Sequence, residues 1–324
     1  MKTVKIGLLG LGNIGTGTYK TLEMNRTEIE TALNAKVEIV KILEKDMTRD
    51  RGIEVPKEKF TTDPDEIFND PEIDIVIELL GGIEPATTFI LTALKNGKHV
   101  VTANKAAIAA NYQEIMDTAK ANNVSFKFEA SVGGGIPILG TLTGPLRANK
   151  YEEVLGILNG TTNYILTMMT QEGIDYDTAL KDAQAQGFAE ADPTADVEGL
   201  DVANKLTILM ALMFDKYVAP GDIPTTGISG ITKEKIDAAA ADGCVIKLIA
   251  HAKRLENGEI EYKVGPMNIS NDHPLASINK EFNAVFIKGN AVDDVMFYGK
   301  GAGPLPTGSA VLGDVIEIVQ HALN

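Results

Sequence analysis

One cysteine, no tryptophan and four histidines in 324 residues leave few of the side chains that most often announce chemistry. Cys244 alone cannot close an internal disulfide, which excludes a disulfide-stapled scaffold and suits a reducing compartment. His99, His251, His273 and His321 show none of the paired spacing of a zinc site, so a metal hydrolase is disfavoured. Positive charge is scarce as well. A net charge of −15 without a basic patch argues against nucleic acid or an anionic membrane as partner, and a small molecule fits better. No apolar run approaches the ~20 residues that span a bilayer. The first residues, MKTVKIGLLGLGNIG, place glycines where a signal peptide needs an unbroken apolar core, so a cytoplasmic protein is expected. With 44% hydrophobic and 23% charged residues, the composition is that of a globular chain long enough for two domains.

The first third alternates short β-branched or apolar runs with longer helical stretches. VKIGLL from Val4, VEIVKIL from Val37, IDIVIEL from Ile73, HVVTA from His99 and VSFKFEA from Val124 read as strands. That rhythm predicts an α/β fold with a doubly wound parallel sheet, helices covering both faces. After Glu129 the rhythm changes. SVGGGIPILGTLTG looks like a crossover, and the strands YEEVLGIL, VIKLIAHAKRL, EYKVGPM and NAVFIKGNA then mix with helices, which predicts a second, α+β domain with a mixed sheet. A helix is expected at the C-terminus, with Thr307 as its cap.

Three segments carry chemical signals. GLGNIG, with Gly10, Gly12 and Gly15, follows a predicted strand and opens a predicted helix, the context of a dinucleotide fingerprint. Backbone N–H groups and the helix dipole would meet the phosphates there. After the second strand, Glu44 favours a free ribose 2′-hydroxyl, whereas Lys45, Arg49 and Arg51 would accommodate a 2′-phosphate; NAD and NADP both stay open. The second signal is Lys105 in VVTANKAAIAA, just past a parallel strand's C-terminal end, where open α/β sheets bind ligands. As a surface lysine it would sit at the wrong end of the helix dipole.

The third signal is FAEADPTADVEGLDVANKLTILMALM, where acids crowd ahead of an apolar run containing Lys205. Asp201 and Lys205 are four apart and share a helix face, and on a solvated surface such a pair contributes only about 0.3–0.5 kcal/mol. LDVANKLTILMALMF is apolar on nearly every side, however, which marks a buried helix. A lysine buried there must be partnered or shed its proton, and either condition marks a functional candidate. Asp192 and Glu198 read as members of a solvated acidic loop.

Together with ELLGGIEPA, FEASVGGGIPIL, LNGTTNYIL and GKGAGPLPTGSAVLGDV, these segments resemble the homoserine dehydrogenases, in the family's order and over nearly the whole chain. The resemblance implies an NAD(P)-dependent oxidoreductase interconverting L-aspartate 4-semialdehyde and L-homoserine, on the route to threonine and methionine. It implies a nucleotide-binding Rossmann domain over residues 1–135, a catalytic and dimerising domain over 136–304, and a helix over 305–324 that returns to the first. By resemblance, Lys205 and Lys105 are the catalytic lysines, and Glu190, Asp196, Asp201 and Thr161 bind substrate. Gly10, Gly12, Asn13, Ile14, Gly15, Lys105, Gly187 and Gly303 bind NAD or NADP. Glu129 with the carbonyls of Val132, Gly134 and Ile136 matches a loop that holds sodium, and oxygen-only ligation suits a hard cation, though the stretch reads equally as a glycine hinge.

Two departures from the family stand out. Phe188 replaces a tyrosine common before the substrate-binding glutamate, and the sequence stops after its last helix where many relatives continue into a regulatory ACT domain, so threonine feedback through such a module is not expected. A homodimer is expected, because the strands between Val245 and Ala291 have few helices to cover them. The rival readings are another Rossmann oxidoreductase of amino-acid aldehydes or imines, and a non-enzymatic dinucleotide sensor. The latter needs the fingerprint but no buried lysine among acids.

Overall fold

The computed structural model describes residues 2–323. Two compact units divide the chain, Met1–Gly135 with Ala302–Asn324, and Ile136–Gly301.

In the first unit six strands form one sheet: β1 (Lys2–Leu9), β2 (Ala35–Leu43), β3 (Phe60–Thr61), β4 (Ile75–Glu78), β5 (His99–Thr102) and β6 (Phe126–Lys127). Their order is β3-β2-β1-β4-β5-β6 and every pairing is parallel. The crossovers are α1 (Asn13–Met24), α2 (Arg26–Leu33), α3 (Asp65–Phe68), α4 (Ala86–Lys95) and α5 (Lys105–Ala121). Strands buried on both faces need apolar residues at consecutive positions, and Ile75, Val76 and Ile77 are fully buried. The strand order reverses between β1 and β4, so the loops after β1, β4 and β5 gather at one switch point, where such sheets bind their ligands.

The last helix, Pro304–Ile318, belongs to this unit and packs Val311, Leu312 and Val315 into the core that holds Tyr19 and Leu22 of α1. It begins three residues before Thr307, with Gly303 as N-cap and Pro304 in the first turn. Proline's fixed φ suits that first turn, where no amide donor is needed, so Thr307 lies inside the helix and is not its cap.

The second unit is built on β7 (Tyr151–Ile157), β8 (Cys244–Arg254), β9 (Ile260–Ser270), β10 (Phe282–Gly289) and β11 (Asp293–Lys300), in the order β11-β10-β7-β8-β9. Its helices are α6 (Leu139–Thr143), α7 (Gly160–Gln171), α8 (Tyr176–Ala185), α9 (Thr194–Val197), α10 (Leu200–Phe214) and α11 (Lys233–Ala241). The α/β and α+β classes expected from the sequence both hold. The sheet expected to be mixed is antiparallel in all four of its ladders, and a parallel pairing enters only through the isolated bridge Thr225↔Val264. Short connections explain this, since β8–β9 and β10–β11 are hairpins, a geometry open only to antiparallel neighbours.

Candidate active site

In the second unit the site grows from the end of β7. The strand delivers Leu158 and Asn159, and Asn159 then caps α7 by accepting a hydrogen bond from the Thr162 amide at 2.9 Å. Its side-chain amide nitrogen donates to Asp196 at 2.7 Å and to Asp201 at 3.0 Å. These two acids lie on separate helices, α9 and α10, joined by Gly199, whose φ of +80° is a left-handed conformation that a side chain would strain. Lys205 follows one turn after Asp201. Its ammonium donates to the Asp201 carboxylate at 2.6 Å and to the Leu158 carbonyl at 2.6 Å.

Asp201 and Lys205 are each only 8% exposed, on a helix whose remaining positions are almost all buried and apolar. The surface ion pair is therefore set aside in favour of the buried one. Inside the protein the charges act at short range with little solvent screening, and the first-turn position of Asp201 is also favoured by the helix dipole. A carboxylate pair beside an ammonium is an arrangement able to bind a substrate cation at one end and manage charge on oxygen at the other.

Glu190 lies exposed between α8 and α9 and enters none of these hydrogen bonds; its carbonyl accepts from Gln184 at 3.1 Å. The Thr161 hydroxyl donates to the Phe188 carbonyl at 2.6 Å, tying the segment before Glu190 to the start of α7. Phe188 packs against Tyr164 with the rings tilted by 42° and their centroids 4.7 Å apart, and the Tyr164 hydroxyl donates to Asp182 at 2.5 Å. That hydrogen bond is the main reason the Tyr164 phenol is pushed up to about 12. Gly187 is exposed, with φ +77°.

In the first unit, Gly10, Gly12 and Gly15 form the turn between β1 and α1. A Cβ on Gly15 would lie 2.2 Å from the Gly10 carbonyl oxygen, whereas one on Gly12 would meet nothing within 4 Å. The turn is thus closed on its inner side and open at Gly12, leaving room for a ligand to approach the backbone. No side chain caps the N-terminus of α1. A cavity of about 180 Å³ is lined by Ile14, Leu79, Gly81, Gly82, Asn104 and Lys105, among others; Asn13 is exposed at its helix start.

Beneath this cavity lies a polar network that sequence reading did not single out. Glu78, at the end of β4, is wholly buried and accepts from the Leu80 amide at 2.7 Å and the Thr102 hydroxyl at 2.7 Å. Burial raises its carboxyl above the usual range, an effect the hydrogen bonds from Thr102 and Leu80 offset only in part. Asn104 accepts from the Ala107 amide at 3.1 Å, capping α5, and donates to the Gly82 carbonyl at 2.7 Å. The network fixes the start of the helix whose first residue is Lys105. Its only sequence trace was a glutamate ending a strand and an asparagine before a lysine.

A family model described as homoserine dehydrogenase matches residues 137–316, and one described as homoserine dehydrogenase, NAD binding domain, matches residues 10–129. The homoserine dehydrogenase of Synechocystis sp. is 48% identical over 324 residues, covering 98% of this chain and 73% of its own length. That of Bacillus subtilis is 43% identical over 321 residues, covering 99% of this chain and 74% of its own. The chain belongs to the homoserine dehydrogenase family. The crystal structure of a homoserine dehydrogenase from Thiobacillus denitrificans matches with a TM-score of 0.94 at 42% identity, over 99% of this chain and 74% of that one.

As a homoserine dehydrogenase, the chain is an NAD(P)-dependent oxidoreductase that interconverts L-homoserine and L-aspartate 4-semialdehyde. The first unit fits the cofactor on its own terms: an open backbone at Gly12, an uncapped helix N-terminus for phosphate, and a cavity bounded by Ile14 and Lys105. No helix among the described residues is long and apolar enough to cross a membrane.

Proposed function

We infer that Lys205, Asp201, Asp196 and Asn159 form the substrate end of this dehydrogenase, and that the glycine turn, Ile14 and Lys105 form its nucleotide end. The observation carrying the reading is the buried ammonium of Lys205 held against Asp201, itself joined to Asp196 through one asparagine amide. NAD(P) supplies the hydride acceptor when bound. In homoserine oxidation the hydroxyl proton must leave as hydride leaves the same carbon. In the reductive direction the Lys205 ammonium donates a proton to the aldehyde oxygen as hydride reaches its carbon, and in homoserine oxidation the neutral amine takes the hydroxyl proton back, while Asp196, Asp201 and Glu190 receive the substrate ammonium. Thr161 acts by tethering Phe188, and Lys105, Asn13, Gly187 and Gly303 belong to the nucleotide side of the assignment. Steady-state oxidation of L-homoserine by the intact chain, with NAD⁺ and NADP⁺ in turn, tests this. Turnover that survives Lys205→Ala would remove the lysine from the chemistry.

Three further parts of the reading stand on single features. Glu129 and the carbonyls of Val132, Gly134 and Ile136 are the donors proposed for sodium, a set of oxygens alone, with Gly133 and Gly134 in left-handed conformation at φ +75° and +56°. A homodimer is supported by β11, which buries none of its residues and leaves Met296 38% and Tyr298 53% exposed. Cytoplasmic residence is supported by the single cysteine.

A further inference from the structure

The residues after β2 face two ways in sequence, three acids interleaved with three bases, and the folded loop shows which of them are already paired. Glu44 follows the last residue of β2, and its carboxylate turns back to the glycine turn, accepting from the Leu11 amide at 3.0 Å. The other carboxylate oxygen accepts from the amides of Lys45 at 2.9 Å and Asp46 at 3.2 Å. Burial pushes the Glu44 carboxyl up, but the Leu11 and Asp46 amides and the Arg51 guanidinium outweigh it and hold the group below the usual carboxylate range. It is ionised at neutral pH.

Of the three bases, Arg51 reaches back to the glycine turn, and it is already committed. It lies 3.1 Å from Glu44, and its side chain is 6% exposed. It donates to the Leu11 carbonyl at 2.7 Å, the Arg49 carbonyl at 2.9 Å and the Asp46 carbonyl at 2.7 Å. A guanidinium has five N–H donors, so turning Arg51 toward a phosphate would break its bonds to three carbonyls and a carboxylate. Lys45 and Arg49 are exposed on the same turn, but Asp46 and Asp50 accompany them, and Glu44, Asp46 and Asp50 balance Lys45, Arg49 and Arg51.

We propose that Glu44, locked in place by Arg51, makes this dehydrogenase selective for NAD(H) over NADP(H). A ribose 2′-hydroxyl can donate to the carboxylate in place of the longest of its four bonds, the one from the Asp46 amide at 3.2 Å, whereas a 2′-phosphate has no proton to donate and would bring like charge against it. The proposal rests on the dehydrogenase reading of the first unit, and one experiment separates the two. The intact chain is titrated with NADH and with NADPH by nucleotide fluorescence, and kcat/KM is measured with NAD⁺ and NADP⁺ at saturating homoserine, before and after Glu44→Gln. The expected result is NADH binding at least about tenfold tighter, with Glu44→Gln closing most of that gap through improved NADPH binding while homoserine KM stays put. NADPH binding as tightly as NADH to the unaltered chain overturns the proposal without touching the dehydrogenase reading. So does a preference for NADH that Glu44→Gln leaves intact. Binding of neither nucleotide would overturn both. Should Glu44→Gln fail to fold, the comparison in the unaltered chain still decides on selectivity, and Glu44→Asp, which keeps the charge and shortens its reach, must retain the preference.

Discussion

Asn159→Asp isolates what holds together the two carboxylates proposed for the substrate, Asp196 and Asp201. Asparagine and aspartate serve equally well as helix N-caps, so the oxygen that accepts from Thr162 is kept and α7 still starts at Gly160. What changes is the other half of the side chain. The amide nitrogen that donates to Asp196 at 2.7 Å and to Asp201 at 3.0 Å becomes a third carboxylate oxygen. Hydrogen bonds to charged groups contribute about 1.5–3 kcal/mol each, so up to about 3–6 kcal/mol of positioning is withdrawn. The two bonds share one donor group and will not add in full. Half of the upper figure, at about 1.4 kcal/mol per decade, predicts kcat/KM for homoserine lower by roughly 10²-fold. The loss should fall mainly on homoserine KM, with the nucleotide dissociation constant unchanged, because the glycine turn, Ile14 and Lys105 proposed for the nucleotide lie in the other unit. Steady-state kinetics and a thermal melt check this together. A variant whose kcat/KM stays within about threefold of the parent, far inside the predicted loss, would show that the acids are positioned by something other than this amide.

Lys205→Ala should lower kcat by roughly 10²–10⁴-fold with nucleotide affinity intact; near-normal single-turnover rates would exclude the proton-transfer role. Glu78→Leu orphans the Leu80 amide and the Thr102 hydroxyl at about 1–3 kcal/mol each, so nucleotide binding and melting temperature should both fall, and Glu78→Gln should restore most of both. Lys247, buried among the neutral acceptors of Asn163, Ile278 and Asn279, is pushed down by burial from 10.5 to about 8. Between those values the unfolded chain binds more protons than the folded one, so stability rises with pH across that window. Relative to Lys247→Met, the parent should gain up to about 3 kcal/mol from the lower to the upper end of that window in denaturant titrations. A pH-independent difference would mean that the ammonium is solvated.

The sequence made legible those features that depend on periodicity, and hid those that depend on what the chain meets after folding. Strands β1, β2, β4 and β5 were visible because burial on both faces demands runs of apolar residues. β3 escaped, because its two residues lie among polar neighbours in EKFTTDP and not in an apolar run, and so did β11, whose DDVMFYGK buries nothing and owes its place to pairing with β10. In the site, Asp201 and Lys205 could be paired in advance since four residues on a helix fix their relation before any tertiary contact forms. Asn159 could not. It stands 37 residues from Asp196 and 42 from Asp201, and its role exists only because β7 ends beneath the junction of α9 and α10. Glu44 and Arg51 are the intermediate case: both were visible, but that they pair with each other emerges only in the loop, which turns the arginine onto Leu11 and leaves the glutamate's carboxylate at the glycine turn. Composition near a site thus says which charges are available, and the backbone carbonyls, which no sequence pattern displays, decide which of them are already spoken for.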